Sequence, residues 1–599
     1  MARSVQPSFF RLAVGLSAAL LSCAWWSACA PGDAVPELNR NASSPPGADP
    51  ASQTAPQSET ALAVVYPVPG GQSRLILAYN DNTNTFSNAA NGTYNLGASV
   101  MGWSASDDEG GTWTRHGQIP VAQGASYQTL ISDPWLAARG STVVYTFDAS
   151  PNQTADQYHG IAVASFSWDG GTSFSPPVAL SGDPHYIDGP KVAITRDGSY
   201  AVVVWQTSTN LPNGQQVLPA EFTILDLHQN GAPVRAPQIL DPVANQALWP
   251  QFVGQNGCIV APSGVQPTIY DHPMVAAGNQ LTFYLAFSIR WDALQLVDGQ
   301  GNPCTPPVQS QTRHEVWRTT DGISWERILS VVGKRQEILM WAQGPDPANS
   351  YARRGTLPAM VVSRWNGGDV IVLAAAEERD PNPNLPEAQR QKVIVYRLPG
   401  ADTCVIAVGQ NDGDLCGCGN CPAQGVSTFE ADQNFVVKGK PLLADRAGVQ
   451  QYQPALFVGR DTEDSRVGLI WYTQPYAGLK PAAPLAQEEQ TIVEGTLSQD
   501  AGASFGVVAT ITQQNGEADQ LWDNPTGQYF IPCPLAPNPG GGYFGDYIAG
   551  AFLDPEDKSS LRAIASWTDS RLGCISQTNL GTTYHQHAYF GGVWWSRNQ

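Results

Sequence analysis

Four short stretches of this chain repeat one pattern, and no other feature restricts the fold as much. Ser106-Asp107-Asp108-Glu109-Gly110-Gly111-Thr112-Trp113 reads Ser-x-Asp-x-Gly-x-Thr-Trp. Ser167-Trp168-Asp169-Gly170-Gly171-Thr172-Ser173-Phe174 and Ser498-Gln499-Asp500-Ala501-Gly502-Ala503-Ser504-Phe505 keep its spacing, while Thr319-Thr320-Asp321-Gly322-Ile323-Ser324-Trp325 is one residue shorter. The chemistry is that of a hairpin tip. The Asp side chain accepts bonds from backbone N–H groups of its own turn, Gly takes φ > 0, and the closing aromatic packs between neighbouring sheets. Each copy lies between two strand-like runs, so one β unit is being repeated along the chain.

A second repeat marks paired apolar strands, often entered through a Pro and left through polar residues. Seven pairs follow this plan: 61–66 with 74–79, 135–138 with 142–147, 191–195 with 201–205, 274–277 with 281–287, 359–363 with 370–376, 455–458 with 467–472, and 548–553 with 563–567. Such continuous apolar runs suit strands buried on both faces. Third strands are expected at 99–104, 160–165, 315–318 and 491–496, each followed by a repeat turn. The stretches 207–269, 292–312, 380–392 and 400–450 are too long for hairpin turns and are expected as loops over a face or rim.

The four turns resemble the Asp box, or BNR repeat, of the sialidase-like β-propellers, where it joins the third and fourth strands of a blade. The resemblance covers residues 59–599 and implies an all-β propeller of four-stranded antiparallel blades. Seven inner pairs favour seven blades, against the six of the sialidases themselves. In that family the box lies on the face opposite the active site, so the boxes are expected to be scaffold.

Fifty-eight Gly and 47 Pro among 599 residues, with 14% charged and 42% hydrophobic side chains, agree with a turn-rich β chain that buries a large core. A net charge of −20 opposes nucleic acid or an anionic membrane surface as partner. At the N-terminus, Arg3 and Arg11 precede an apolar run, Leu12 to Leu21, which reads as a signal peptide within residues 1–29. Leu20-Leu21-Ser22-Cys23 resembles a bacterial lipobox, implying lipidation of Cys23, a membrane anchor and a cell-envelope location; Cys29 is the rival site, and ordinary secretion the alternative. Residues 30–58, rich in Pro, Ala, Ser and Asn, read as a disordered tether. The remaining cysteines of an exported chain read as disulfides, with Cys258–Cys304 and Cys533–Cys574 as candidate staples and Cys404, Cys416, Cys418 and Cys421 crowded in one insertion. The sequence calls for no cofactor or metal and suggests a monomer.

In an up-and-down blade, the entry to strand one and the exit from strand two share the face opposite the repeat turns. Entering are Glu59, Asp133, Asp188, Asp271 with His272, Arg354, Gln453, and Asp546 with Tyr547. Leaving are Asn80 and Asp81, Asp148, Gln206, Arg290, Glu377 with Glu378 and Arg379, Thr473 with Gln474, and Asp569 with Arg571. Acids at five entries and arginines at three exits converge on one mouth of the channel, where a concave, mixed-charge surface would receive a glycan or other extracellular ligand. The sialidase resemblance implies an arginine cluster for a substrate carboxylate, a Tyr nucleophile with a Glu partner, and an Asp acid. Arg290, Arg379 and Arg571, or Arg354, are candidates for the cluster. Tyr547, Glu377 or Glu378, and Asp133 or Asp148 are candidates for the rest. The family's early Arg-Ile-Pro motif has no counterpart here: blade one is entered through Gln57-Ser58-Glu59-Thr60. Gly545-Asp546-Tyr547 with Trp567-Thr568-Asp569-Ser570-Arg571 instead resembles exported BNR-repeat proteins whose chemistry is usually unassigned. The chain has no His-Glu-x-x-His motif.

Overall fold

The computed structural model describes residues 31–36, 40–41, 57–68, 72–81, 86–88, 93–95, 99–152, 159–210, 216–217, 219–240, 259–260, 268–269, 273–291, 296–297, 311–333, 358–365, 367–378, 391–399, 404–405, 427–430, 450–459, 464–474, 492–506, 508–512, 548–553, 562–569 and 587–597. They form seven four-stranded antiparallel blades in a propeller ring. Blade one pairs Gln57–Val65, Arg74–Asp81, Met101–Ser106 and Arg115–Gln118 in sequence order. Blade two repeats this with Thr129–Arg139, Thr142–Ser150, Ile161–Ser167 and Val178–Ala179. Met274–Ala277, Phe283–Trp291, Gln311–Thr319 and Glu326–Gly333 make blade four, and Gln450–Val458, Val467–Gln474, Ile492–Ser498 and Ala509–Thr510 make blade six.

Two expectations about loops are corrected. Blade three takes its third strand, Ala220–Asp226, from within 207–269, beside Ile187–Ile194 and Tyr200–Thr207. Blade five, built on Ala359–Trp365, Gly368–Glu378 and Gln391–Pro399, takes its outermost strand, Ser427–Glu430, from within 400–450. Neither third strand ends in the repeat turn that marks blades one, two, four and six. Phe222, Ile224 and Leu225 are nonetheless buried, and that burial is what recruits the first of these segments.

The segment read as a tether also contributes strands. Blade seven has Ala549–Phe552, Arg562–Asp569 and His587–Arg597, and its outermost strand is Pro31–Pro36 from the far end of the chain. Arg40–Asn41 pairs further along the same neighbour. Composition alone reads Pro- and Ala-rich sequence as coil, but an open sheet edge offers unpaired N–H and C=O groups that such a segment can fill.

The core lies between blades rather than within one. Seven apolar clusters each straddle two neighbours, from the Ala63, Tyr145 and Phe147 cluster of blades one and two round to the Leu62, Leu553 and Phe590 cluster that closes blade seven on blade one. The fully buried Trp205, Trp317, Trp471 and Trp567 lie on second or third strands, where each such side chain contributes about 1.5–3 kcal/mol.

The repeat turns fix this packing. Asp108 Oδ1 accepts from Thr112 N at 2.7 Å, and Ser106 Oγ accepts from Gly110 N at 2.8 Å. Asp169, Asp321 and Asp500 accept from the backbone of their own turns in the same way. Each turn thereby aims its closing aromatic at the preceding blade. Trp113 meets Phe590 at 5.3 Å, Phe174 meets Trp103 at 5.3 Å, Trp325 meets Phe222 at 5.1 Å, and Phe505 packs on the cluster that contains Val372. At Gly110, φ is 86° and a Cβ would fall 2.2 Å from Phe590, so only glycine permits that approach.

First strands of the seven blades line a central channel of about 320 Å³. Most of its wall is apolar, running through Ala63, Ala137, Ala193, Val275, Val361 and Leu456, with Arg139, Arg196 and Asp464 also lining it.

Candidate ligand site at the channel mouth

One backbone device recurs where four of the first strands begin. In blades one, two, three and six the register slips so that two residues of the first strand face one residue of the second: Glu59-Thr60 face Tyr79, Asp133-Pro134 face Phe147, Gly189-Pro190 face Trp205, and Gln453-Pro454 face Trp471. The first residue of each bulge has positive φ: 54° at Glu59, 62° at Asp133, 59° at Gly189 and 48° at Gln453. For a non-glycine residue this conformation is uncommon and costs on the order of 1–3 kcal/mol. Burial of the opposing aromatic holds it in place, and the bulge re-aims the strand entry at the mouth.

Blades two and three bring three carboxylates together there. Oxygens of Asp133, Asp148 and Asp188 all lie within 4.8 Å of one another. Asp133 comes from the bulge, Asp148 from the mouth end of the second strand, opposite Ser132, and Asp188 from the entry of the next blade, opposite Gln206. Ser132 Oγ donates to Asp133 at 2.8 Å and Tyr186 OH donates to Asp188 at 3.0 Å. Glu59 is also buried: it accepts from Asn80 Nδ2 at 2.7 Å, and its backbone N–H donates to Thr568 Oγ1 of blade seven at 3.1 Å.

Lys191, which the sequence reading did not select, completes the group. It is fully buried, with Nζ 4.6 Å from the ring centre of Trp135. Burial pushes its pKa down, while the charges of Asp133, Glu59, Asp188 and Asp148 push back. The available signal was a lone cation opening the otherwise apolar run Lys191-Val192-Ala193-Ile194.

Burial raises Asp148 well above the usual carboxylate range, and the negative charges of Asp133 and Asp188 and a hydrogen bond with Asp133 add to that. Lys191 opposes the shift without reversing it. The protonated form of Asp148 is thereby favoured, and a protonated carboxyl can donate to one oxygen of a ligand while neighbouring carboxyl oxygens accept from others. One Asp148 oxygen has no hydrogen-bond partner among the described residues. Asp133, Asp148 and Asp188 are the described residues with the oxygen donors a hard divalent cation takes, and Lys191 supplies positive charge at the same place.

Of the residues expected at the mouth, Glu59, Asp133, Asp148 and Asp188 are brought to one side by blades one to three. Arg290, Glu377 and Asp569 are placed by their backbone at the mouth ends of second strands, paired with Thr312, Lys392 and His587. Asp271, Arg354, Arg379, Asp546, Tyr547, Arg571 and the lipidation candidate Cys23 lie outside the described residues, as do the side chains of the paired-cysteine candidates.

No family model matches this sequence, and no curated protein matches it. Solved structures do resemble it. A Dyadobacter fermentans protein of unknown function aligns over 95% of this chain and 99% of its own at 11% identity, with a TM-score of 0.34. A Penicillium chrysogenum α-L-arabinanase complexed with arabinobiose aligns over 93% and 98% at 10% identity and a TM-score of 0.33. A Trypanosoma rangeli sialidase in complex with the inhibitor DANA aligns over 80% of this chain and 56% of its own at 9% identity and a TM-score of 0.32. At such identity and TM-score the likeness assigns neither activity nor ligand to this chain.

Proposed function

We propose that this protein is an exported, lipid-anchored propeller of the sialidase-like BNR type that binds a glycan at its acidic channel mouth. The observation that carries the reading is the set of three carboxylates, Asp133, Asp148 and Asp188, within 4.8 Å of one another beside buried Lys191. A sugar presents neighbouring hydroxyls that both donate and accept, and a cluster of carboxyls in which Asp148 is pushed toward its protonated form matches that pattern. The bulges support it as well, since positive φ at Glu59 and Asp133 is backbone strain of the kind concentrated at functional sites. Glycan-array binding by the purified chain tests the proposal. Asp133→Asn with Asp188→Asn is expected to reduce binding at least about tenfold, the scale of one to two lost charge-assisted hydrogen bonds. Unchanged binding by that variant would place the ligand elsewhere.

A second reading, a retaining exo-glycosidase of sialidase type, is favoured by one feature. Asp148, a buried carboxyl whose pKa is pushed well above the usual range, is placed at the mouth as a candidate acid. In that reading Asp148 or Asp133 is the acid, and Tyr547, Glu377, Arg290, Arg379 and Arg571 take the roles that the family resemblance implies. Turnover of a fluorogenic sialoside, lost in Asp148→Asn, is the expected result; no turnover by the parent chain sinks it.

The export signal and lipobox-like Cys23 support a cell-envelope location. Cys23→Ser is expected to release the chain from the membrane fraction. Retention of that variant would pass the role to Cys29.

A further inference from the structure

The first described strand fixes the face by which the chain is held. Third strands of the blades run from the mouth toward the repeat turns, and His587–Arg597 is the third strand of blade seven. Pro31–Pro36 pairs with it antiparallel, Pro31 opposite Arg597 and Pro36 opposite Val593. Arg562, the first residue of the neighbouring second strand, pairs with Trp594. Pro31 therefore lies three residues beyond that point, about 10 Å further out on the repeat-turn side. The chain then runs back toward the mouth, through Arg40 opposite Phe590. Whatever precedes Pro31 joins the molecule on the face opposite the carboxylate cluster.

The same face carries exposed apolar tips. Trp168 is 39% exposed in the repeat turn of blade two, Ile323 59% in that of blade four, and Trp365 40% at the turn between the first and second strands of blade five. The other exposed large apolar side chains among the described residues, Val178, Val234 and Ile239, lie on the outer edges of blades two and three. The mouth ends of the described inner strands contribute none. Tips are where side chains are free to be polar, and the other repeat turns use Asp107, Thr320 and Gln499 at the position that Trp168 occupies.

We infer that the repeat-turn face rests on a lipid surface, with Trp168, Ile323 and Trp365 in the headgroup region and the acidic mouth directed away from the bilayer. The inference rests on the lipid-anchored reading above. Cys23 precedes Pro31 by eight residues, a reach of at most about 28 Å when fully extended. An anchor that short holds the face it joins against the membrane, and tryptophan is the side chain best suited to the interface.

The test is hydrogen exchange on the full lipidated chain, in phosphatidylethanolamine vesicles containing a minor fraction of phosphatidylglycerol and again in detergent. Exchange at the tips around 168, 323 and 365 is expected to slow by at least about threefold in vesicles, with the mouth segments around 59, 133 and 188 unchanged. Trp168→Ser with Ile323→Ser and Trp365→Ser should abolish the slowing while the chain still sediments with vesicles. A parent chain that sediments but shows slowing at the mouth, or none at the tips, overturns the orientation and leaves the anchor standing. A parent chain that does not sediment overturns the anchor itself, and the orientation with it.

Discussion

Asp169 and Asp148 belong to one blade, at opposite ends of its strands, and lie on opposite sides of their ordinary pKa. Burial acts to raise both. At Asp169 it is outweighed by bonds from Ser173 and Ser167 and from the backbone of Ser173 and Thr172, so the carboxylate is held below its usual range. At Asp148 no such donors gather, and the charges of Asp133 and Asp188 add to burial. One residue type thus serves as a staple where backbone N–H groups converge and as a carboxyl pushed toward its protonated form where carboxylates do. Stability is stored on the repeat-turn face, and the means of binding on the mouth face.

The largest way to break this contrast is to remove the cation that makes the mouth tolerable. Lys191→Met leaves Glu59, Asp133, Asp148 and Asp188 without a buried counter-charge among the described residues, and is expected to cost about 3–5 kcal/mol in urea unfolding. Combining it with Asp133→Asn should recover part of that loss. A cost below about 1 kcal/mol would mean that the carboxylates are solvated, and the mouth would cease to be a charge-compensated site. Next in size is the staple. Asp500→Ala deletes the acceptor for Ser498, for Ser504 N at 2.8 Å and for Ser504 Oγ at 2.6 Å, at an expected cost of about 1–2 kcal/mol. Ligand binding should be untouched, and a change in binding would show that the two faces are coupled.

These staples were legible in the sequence because their chemistry is local: Ser, Asp, Gly and an aromatic at fixed spacing bond within one turn. The seven inner pairs were legible through their apolar runs. What escaped was non-local. Pro31–Pro36 completes a blade whose adjoining strand, His587–Arg597, lies at the other end of the chain, and nothing in its own composition signals the open edge it fills. The acids Glu59, Asp133, Asp148 and Asp188 were placed at the mouth from strand direction alone, but Lys191 was not, because its partners other than Asp188 come from three strands of two other blades. Positive φ at Glu59, Asp133 and Gln453 also left only a faint trace, the Pro that follows two of them.

The opposite pKa shifts predict opposite pH dependences. Turn aspartates such as Asp169 and Asp321 stabilise the fold fully above their unfolded value of about 3.9, and that contribution is lost as pH falls through their depressed folded values. Asp148 runs the other way: its contribution is present below about pH 3.9 and is lost as pH rises through its raised folded value. Asp148→Asn should therefore flatten the loss of stability on the alkaline side of pH 4, a slope of at most about 1.4 kcal/mol per pH unit for one proton, and leave the acid limb alone. Asp169→Asn should do the reverse. Unfolding midpoints measured across pH 3–9 on the three chains decide it. Equal effects of the two variants on one limb would erase the distinction between the faces.

The smallest expected effect divides a single carboxylate. Asp107, at the first repeat turn, meets two arginines: Arg74, whose side chain is 8% exposed, and Arg115, whose side chain is 36% exposed. Arg74 also donates to Gly170 O at 2.8 Å and Thr172 Oγ1 at 2.7 Å, tying blade one to the turn of blade two. Arg115 reaches Asp107 at 3.3 Å, where water competes for the carboxylate and long side chains lose freedom by pairing. Arg115→Ala should accordingly shift the urea midpoint by no more than about 0.5 kcal/mol equivalent, against about 2–3 kcal/mol for Arg74→Met, which leaves the buried Gly170 O unfilled and breaks the tie to Thr172. If the two variants cost the same, the repeat-turn face would owe its stability to surface charge. The assignment of that stability to buried hydrogen bonds between blades would then fall, because added salt would have to weaken both pairs alike, whereas the buried arginine is shielded from it.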